Sequence, residues 1–313
     1  MRKIFIMLTL FWVPLFQAMA APNVVVTIQP LHSLAAYLMD GVGEPYLLLP
    51  PDSSPHDFQL KPSDAAQIYE ADLVIWVGPE LETFLEKPLK SLSNPSHFLT
   101  LADIEGLDLL PYQSYHTHGE EHAHHDSHDH AHEHAQEHDH IDPHFWLDPM
   151  RVKTIAKAIA MRLKSEDEKH AAVYDKNLKS LLIQLDALEK ELTKSLKSVK
   201  KVSFMVFHDG YQYFTTHFQL ASHGPLIDNP HAPFSLKRIQ DIKKRIQEEN
   251  IQCVFGEPDT NQNFLNQLVE STKARTGFLD PLGYHLKPGK EAYFEMMHQL
   301  RDNLVECLKG KGT

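Results

Sequence analysis

The chain has 313 residues and a mass of 35.8 kDa, with 42% hydrophobic residues, which is enough for two domains with sizeable cores. A generally disordered chain is excluded, because 16 Phe, 10 Tyr and 3 Trp side chains need burial. The net charge of −12 argues against a nucleic-acid-binding protein, since such a protein needs a basic face to displace counterions.

The first twenty residues have the layout of a secretory signal peptide. A basic start precedes an apolar run over 4–16, and residues 18–20 form a small-x-small site, so we expect cleavage after about Ala20. A membrane anchor is the alternative, but it needs roughly 20 apolar residues, and Pro14 and Gln17 interrupt this run. The signal peptide predicts an exported protein, and because no later stretch approaches that length, we expect no direct membrane insertion after its removal.

Apolar runs alternate with segments of helical spacing in the part of the chain that follows. The predicted strands are 24–29, 46–49, 72–77 and 97–101. The predicted helices are 31–39, 63–70, 80–92 and about 149–163. Strands that are separated by helical crossovers predict a parallel sheet with helices on its faces.

The stretch from about Glu168 to Ser198 contains no Gly or Pro and repeats leucines at three- and four-residue steps. This spacing predicts an amphipathic helix of about 30 residues and about 45 Å, long enough to join two lobes. Beyond it the alternation restarts, with predicted strands at 202–207, 219–222, 251–255 and 276–279 and predicted helices at 211–217, 235–249, 262–272 and 288–309.

The predicted fold class is therefore α/β, with two lobes whose parallel sheets are flanked by helices and which are joined by one long spine helix. The predicted domains are a signal peptide at 1–20, an N-terminal lobe at 21–165, a linking helix at 166–200 and a C-terminal lobe at 201–313.

Metal-capable side chains stand where predicted strands end, and ligands of open α/β sheets bind beyond the carboxyl ends of the strands. The candidates are His56, His144, His208 and Asp280. A single loop histidine is more often solvated or capping, but their joint placement favours a metal site. Three imidazoles with a carboxylate or a water satisfy tetrahedral Zn²⁺. Asp57 and Asp209 are plausible acceptors that would fix the histidine tautomers.

The segment 116–140 concentrates histidine and negative charge. It holds eleven of the 22 histidines and seven acidic residues, with no Lys or Arg. These histidines are His116, His118, His122, His124, His125, His128, His130, His132, His134, His138 and His140. With almost no apolar side chains, the segment is expected to be disordered without metal and to act as an auxiliary, low-affinity zinc collector.

The two cysteines, Cys253 and Cys307, lie in one half of an exported chain. A disulfide is the simplest expectation in an oxidising compartment, and two separate buried thiols are the alternative.

Several segments carry a family resemblance, in order, over nearly the whole mature chain. They are SSPHDF at 53–58, KPSD at 61–64, ADLVIWVGPE at 71–80, HFWLDP at 144–149, FHDGY at 207–211, FGEP at 255–258 and LDPLG at 279–283. The chain resembles the metal-binding class of ABC-importer periplasmic substrate-binding proteins. Within that class it most resembles the ZnuA-type zinc-binding members, which its histidine-rich insertion and its cysteine pair also indicate.

The resemblance implies that His56, His144 and His208 are metal ligands and that Asp280 matches the carboxylate used by many members. Manganese-type relatives typically place Glu at the third position, and a histidine there suits Zn²⁺ better. Some zinc members have Glu immediately before the first histidine, but this chain has Pro55. The fourth ligand is then expected to be Asp280 or water.

We therefore expect a monomeric protein, not an enzyme, that captures Zn²⁺ and delivers it to the membrane permease of an ABC-type zinc importer. One alternative is a secreted zinc-dependent hydrolase, since three histidines and an open position could activate water. The sequence has no HExxH motif for it, and Glu257 is the carboxylate that such a reaction could use. Another alternative is a manganese-binding carrier or adhesin of the same class.

Overall fold

Each half of the chain builds one parallel sheet from short, apolar strands. The computed structural model describes residues 21–56, 58–91, 97–112, 141–226 and 235–310. Within these ranges the strands are β1 (Val24–Val26), β2 (Tyr46–Leu47), β3 (Leu73–Trp76), β4 (Phe98–Thr100), β5 (Phe204–Val206), β6 (Ser222–Pro225), β7 (Cys253–Gly256) and β8 (Arg275–Phe278). They form two four-stranded sheets, ordered β2-β1-β3-β4 and β6-β5-β7-β8. The predicted α/β class with parallel sheets is confirmed.

Helices connect the strands and cover the sheets. In the described ranges they are α1 (Gln29–Leu38), α2 (Pro62–Glu70), α3 (Thr83–Ser91), α4 (Pro149–Glu166), α5 (Ala171–Leu196), α6 (Gln212–Phe218), α7 (Leu236–Glu248), α8 (Gln262–Val269) and α9 (Ala292–Leu308). None of the helices in these ranges has the length and apolar character needed to cross a membrane.

The spine helix is shorter than predicted and has a partner. A 3-10 turn over Glu168–His170 separates α4 from α5, so α5 has 26 residues and a length of about 39 Å. Ion pairs of Lys164 with Asp175 and of Lys153 with Asp186 show that α4 and α5 run antiparallel. The helix therefore acts as half of a helical hairpin.

Two strand predictions were too long or displaced, for local reasons. The strand predicted over 24–29 stops at Val26, because α1 begins at Gln29 with Pro30 in its first turn, where the fixed φ of proline suits a helix. The strand predicted over 219–222 begins only at Ser222, because Gln219 caps α6 with a φ of 54°. Residue propensities did not predict the left-handed backbone conformation of Gln219.

The two halves share one hydrophobic core. Its buried residues include Val25 of the first sheet, Leu185 of α5 and Phe255 of the second sheet. The C-terminal α9 packs on α1 as well as on α5. The predicted disulfide is confirmed, since Cys253 at the start of β7 is bonded to Cys307 in the last turn of α9.

A buried carboxylate joins the ends of the two central strands in the first sheet. Glu82 is fully buried and accepts hydrogen bonds from Thr27 Oγ1 at 2.5 Å and from the Val77 and Gly78 amides at 3.2 and 3.0 Å. Burial outweighs these hydrogen bonds and raises the pKa of Glu82 to about 7.

The raised pKa of Glu82 predicts a pH-dependent stability. Its unfolded pKa is near 4.5, so the folded state is favoured while Glu82 is protonated and loses that advantage as pH rises through about 7. Between pH 5 and pH 8 we expect a loss of roughly 3 kcal/mol in the free energy of unfolding. Denaturant unfolding of wild type and Glu82→Gln measures this, and the variant should have the shallower slope. The exposed Glu86→Gln is the control, and equal slopes for wild type and Glu82→Gln would contradict the prediction.

Candidate metal centre

Three of the four predicted ligands meet in one group. His56 lies in the loop after β2, His144 immediately precedes a 3-10 turn at Phe145–Leu147, and His208 follows β5. One ring nitrogen of each lies within 4.8 Å of the others. The ring centroids are 5.3 Å apart for His144 and His208, 5.8 Å for His56 and His144, and 6.1 Å for His56 and His208. The fold thus brings histidines from both halves of the chain to one point.

The spacing of two of these rings fits a tetrahedral ion. The Nε2 atoms of His144 and His208 are 3.4 Å apart. Two nitrogens bound tetrahedrally to zinc, each at about 2.05 Å, would be separated by about 3.3 Å. The pair therefore needs little rearrangement to bind a metal.

A carboxylate holds the other nitrogen of each of these rings. Asp142 Oδ1 lies 2.8 Å from His144 Nδ1, and Glu257 Oε1 lies 2.6 Å from His208 Nδ1. The Tyr211 hydroxyl donates to the same Glu257 oxygen at 2.9 Å. An Nδ1–H directed at a carboxylate leaves the Nε2 lone pair facing the group and makes it a better donor to a metal.

The same carboxylate affects the protonation of His208. Burial alone would lower the pKa of His208, but the charge of Glu257 and its hydrogen bond outweigh burial and raise this pKa. At 3.4 Å from His144 Nε2, a proton on His208 Nε2 would lie where a metal would bind. Metal binding must therefore release that proton.

Glycine at position 210 keeps the two nitrogens accessible. A Cβ there would lie 2.6 Å from His208 Nε2 and 3.3 Å from His144 Cδ2. Any other residue would push a side chain into the space that faces the rings. No sequence pattern singled out Gly210 for this role.

Asp280 lies outside the histidine group. Its Oδ1 accepts hydrogen bonds from the Leu282 and Gly283 amides at 3.0 and 2.8 Å, and its Oδ2 accepts one from the Tyr284 amide at 2.7 Å. Gly283 has a φ of 74°, as this tight turn requires. In the described part of the chain, the three-histidine group includes no carboxylate.

Two carboxylates that the sequence analysis did not assign to this role also orient the rings. Asp57 lies outside the described residues, and Asp209 contributes to the raised pKa of His208 through its charge. Two carboxylates that contact the rings are Asp142, at His144, and Glu257, at His208. Both could have been suspected, since Asp142 stands two residues before His144 and Glu257 follows directly after β7.

The site is a small cleft. It has a volume of about 40 Å³ and is lined by the three histidines with Trp146, Glu257 and Tyr284 among others. That volume accommodates an ion with one or two waters, whereas pockets for organic ligands are roughly 300–1,000 Å³. The predicted signal peptide and the eleven histidines of 116–140 lie outside the described residues.

Known proteins resemble this chain over most of its length. The family model described as zinc-uptake complex component A, periplasmic, matches residues 24–307. The high-affinity zinc uptake system protein ZnuA of Brucella abortus (strain 2308) is 42% identical over 305 residues, which cover 91% of each chain. The protein of the same name from Yersinia pestis is 36% identical over 295 residues, covering 93% of this chain and 92% of that protein. A crystal structure of ZnuA has the same fold, with a TM-score of 0.73 at 22% identity, covering 92% of this chain and 99% of that one.

The Asp142–His144 contact predicts a loss of metal affinity when the carboxylate is neutralised. In Asp142→Asn the side chain keeps its size but loses the charge that favours the required tautomer of His144. We expect Zn²⁺ to bind about 10- to 100-fold more weakly, measured by competition with a chelating dye.

Asp167→Asn is the matched control, because Asp167 accepts from His170 Nδ1 at 2.6 Å in a second Asp–His pair at the junction of α4 and α5. Its zinc affinity should equal that of wild type. Equal affinities for Asp142→Asn and wild type would contradict the assigned role of Asp142.

Proposed function

Because the chain belongs to the ZnuA family of periplasmic zinc-uptake components, we propose that it captures Zn²⁺ in the periplasm and delivers it to the permease of an ABC-type zinc importer. Members of this family are substrate-binding components of a transport system and not enzymes. The observation that carries the proposal is the group of three histidines, His56, His144 and His208, with nitrogens within 4.8 Å of one another.

The ligand types favour zinc over manganese. Imidazole suits Zn²⁺, whereas Mn²⁺ prefers carboxylate, carbonyl and water oxygens. The described three-histidine group offers nitrogen donors, and the nearby Glu257 is engaged with His208 Nδ1 and the Tyr211 hydroxyl. We propose His56, His144 and His208 as the zinc ligands, with water in the fourth position.

Asp280 is the alternative fourth ligand. To bind the ion, its carboxylate would have to give up hydrogen bonds to the backbone of the 280–284 turn. Water binds without that cost, which supports its assignment to the fourth position.

The same contacts argue against a zinc hydrolase. The volume of about 40 Å³ leaves little space for an organic substrate beside the ion. Glu257, the carboxylate that hydrolysis could use, holds His208 and accepts from Tyr211. An open water position is equally useful in a carrier, since a site with few protein ligands can release its ion.

Three further parts of the proposal concern regions or states outside the described structure. The segment 1–20 directs export and is removed after about Ala20. The mature protein acts as a monomer that presents its cleft to the permease. The histidine-rich segment 116–140 collects zinc weakly near the cleft. The positions of the residues that flank this segment support that location. Pro111 and Ile141 pair in an antiparallel bridge, and Ile141 is three residues from His144.

A zinc titration tests the site assignment. Wild type should bind one Zn²⁺ tightly, with a dissociation constant below micromolar, and His208→Ala should weaken this binding by more than about 100-fold, beyond the loss expected for an outer partner. His223→Ala is the matched control, because His223 contacts Glu249 and Ser203 instead. Equimolar Mn²⁺ should not displace the zinc. Unchanged affinity in His208→Ala, or displacement by Mn²⁺, would contradict the proposal.

Deleting the histidine-rich segment tests the collector. A short Gly-Ser linker can replace residues 116–140, because the bridge of Pro111 with Ile141 already holds the flanking chain together. Calorimetry of the deletion variant should show the tight zinc site with wild-type affinity and no weaker sites. Loss of the tight site would show that the segment supplies its ligands, contrary to the proposal.

A further inference from the structure

Helix α6 links the two chain segments that carry His144 and His208. We propose that Tyr213 and His217, both on α6, are positioning residues. They hold residues 142–148, here called the His144 segment, at a fixed position relative to His208. This inference rests on the proposed function, and it assigns the preformed spacing of the two ligand nitrogens to particular contacts.

The helix is a direct continuation of the His208 segment. His208 stands four residues before the first residue of α6, Gln212. Tyr211, between them, donates its hydroxyl hydrogen bond to Glu257 at 2.9 Å and lies 3.2 Å from the Leu279 carbonyl oxygen. A displacement of α6 would therefore be transmitted to His208.

Tyr213 contacts the start of the His144 segment. This residue is fully buried, and its hydroxyl donates to the Asp142 carbonyl at 2.8 Å and accepts from the Leu110 amide at 2.8 Å. The side chain of the same Asp142 holds His144 Nδ1 at 2.8 Å. A single tyrosine hydroxyl thus fixes the backbone of the residue that orients a ligand ring.

His217 contacts the other end of that segment. Its Nδ1 lies 3.1 Å from Asp148 Oδ1, and Asp148 caps α4 by accepting from the Met150 amide at 2.8 Å. The Nε2 atom of His217 lies 3.6 Å from Glu189 of α5. Residues 142 and 148 bracket His144, so α6 holds both ends of the segment, and His217 also ties it to the spine helix.

The middle of the segment is held as well, from the C-terminal part of the chain. Trp146 Nε1 donates to the Pro281 carbonyl at 2.8 Å, and the Tyr293 hydroxyl donates to the Trp146 carbonyl at 3.0 Å. These contacts attach the middle of the segment to the C-terminal part of the chain. The contacts of α6 attach its two ends to the helix that follows His208. The distinction matters because the tetrahedral spacing of the two Nε2 atoms tolerates only small displacements.

Tyr213→Phe isolates the hydroxyl. The ring keeps its edge contact with Phe145 and its stacking under Arg151, 4.8 Å from the ring centroid. The Leu110 amide and the Asp142 carbonyl lose a buried partner. We expect Zn²⁺ affinity to fall by about 10-fold, the lower end of the loss for outer partners of a metal ligand.

His217→Gln removes the second contact and provides an independent variant. Arg151 also pairs with Asp148, so part of the anchor remains. We expect a loss of zinc affinity of about threefold, below the range for residues that touch a ligand directly.

The chain offers a matched control for each variant. Tyr174 is buried like Tyr213 and donates its hydroxyl to Asp167 at 2.8 Å, and His170 pairs with the same Asp167 at 2.6 Å. This cluster lies at the junction of α4 and α5, so Tyr174→Phe and His170→Gln should lower the melting temperature while leaving zinc affinity within about twofold of wild type.

The experiment measures zinc affinity, thermal unfolding and the visible absorption of the Co²⁺-loaded protein for wild type and all four variants. Tetrahedral Co²⁺ absorbs strongly, so altered ligand spacing changes this spectrum where a loss of stability alone does not. The expected result is weaker zinc binding and an altered Co²⁺ spectrum for Tyr213→Phe and His217→Gln only.

Two results would overturn the inference while leaving the proposed function intact: wild-type affinity and spectrum in both α6 variants, or the same losses in the controls. A wild-type protein that binds no zinc below micromolar concentrations would instead overturn the proposed function, and the inference with it.

Discussion

The 3.4 Å separation of His144 Nε2 and His208 Nε2 is the constraint on which the rest of the site depends. Two basic nitrogens gain nothing from facing each other across such a distance unless a proton or a metal ion lies between them. The fold maintains this arrangement by bringing strand ends from two parallel sheets to one cleft, over a core that both halves share. The disulfide ties β7 to α9, and α9 packs on α1 and α5.

Two carboxylates and one glycine surround this pair of nitrogens in a way that favours metal binding. Asp142 and Glu257 bind the outer nitrogens and direct the inner lone pairs into the cleft. Gly210 leaves the inner face open, since a Cβ would stand 2.6 Å from His208 Nε2. The result is a site with strong nitrogen donors and little volume, as a carrier of a single small cation requires.

The α/β class, the two parallel sheets and the confirmed disulfide were predictable, because apolar periodicity and cysteine pairing are local or compositional signals. Strand ends also indicated His56, His144, His208 and Asp280, of which the described structure brings the three histidines together. The missed features depend on three-dimensional contacts. Only the folded chain shows the contact of Asp142 with His144 and the hydrogen bonds that Asp280 accepts from the backbone of its own turn. It also shows which side chains of the two halves contact each other. The end of α6 depends on the left-handed conformation of Gln219. Residue propensities are averages over many proteins and do not show which single residue adopts such a conformation.

X-ray absorption at the zinc edge of the loaded protein tests the central claim most directly, because it counts the imidazoles around the ion. We predict one zinc with three imidazole nitrogens at about 2.0–2.1 Å and one oxygen at a similar distance, with the same spectrum in Asp280→Asn. A spectrum with fewer than three imidazoles, or one that changes when Asp280 is replaced, would contradict a three-histidine site completed by water.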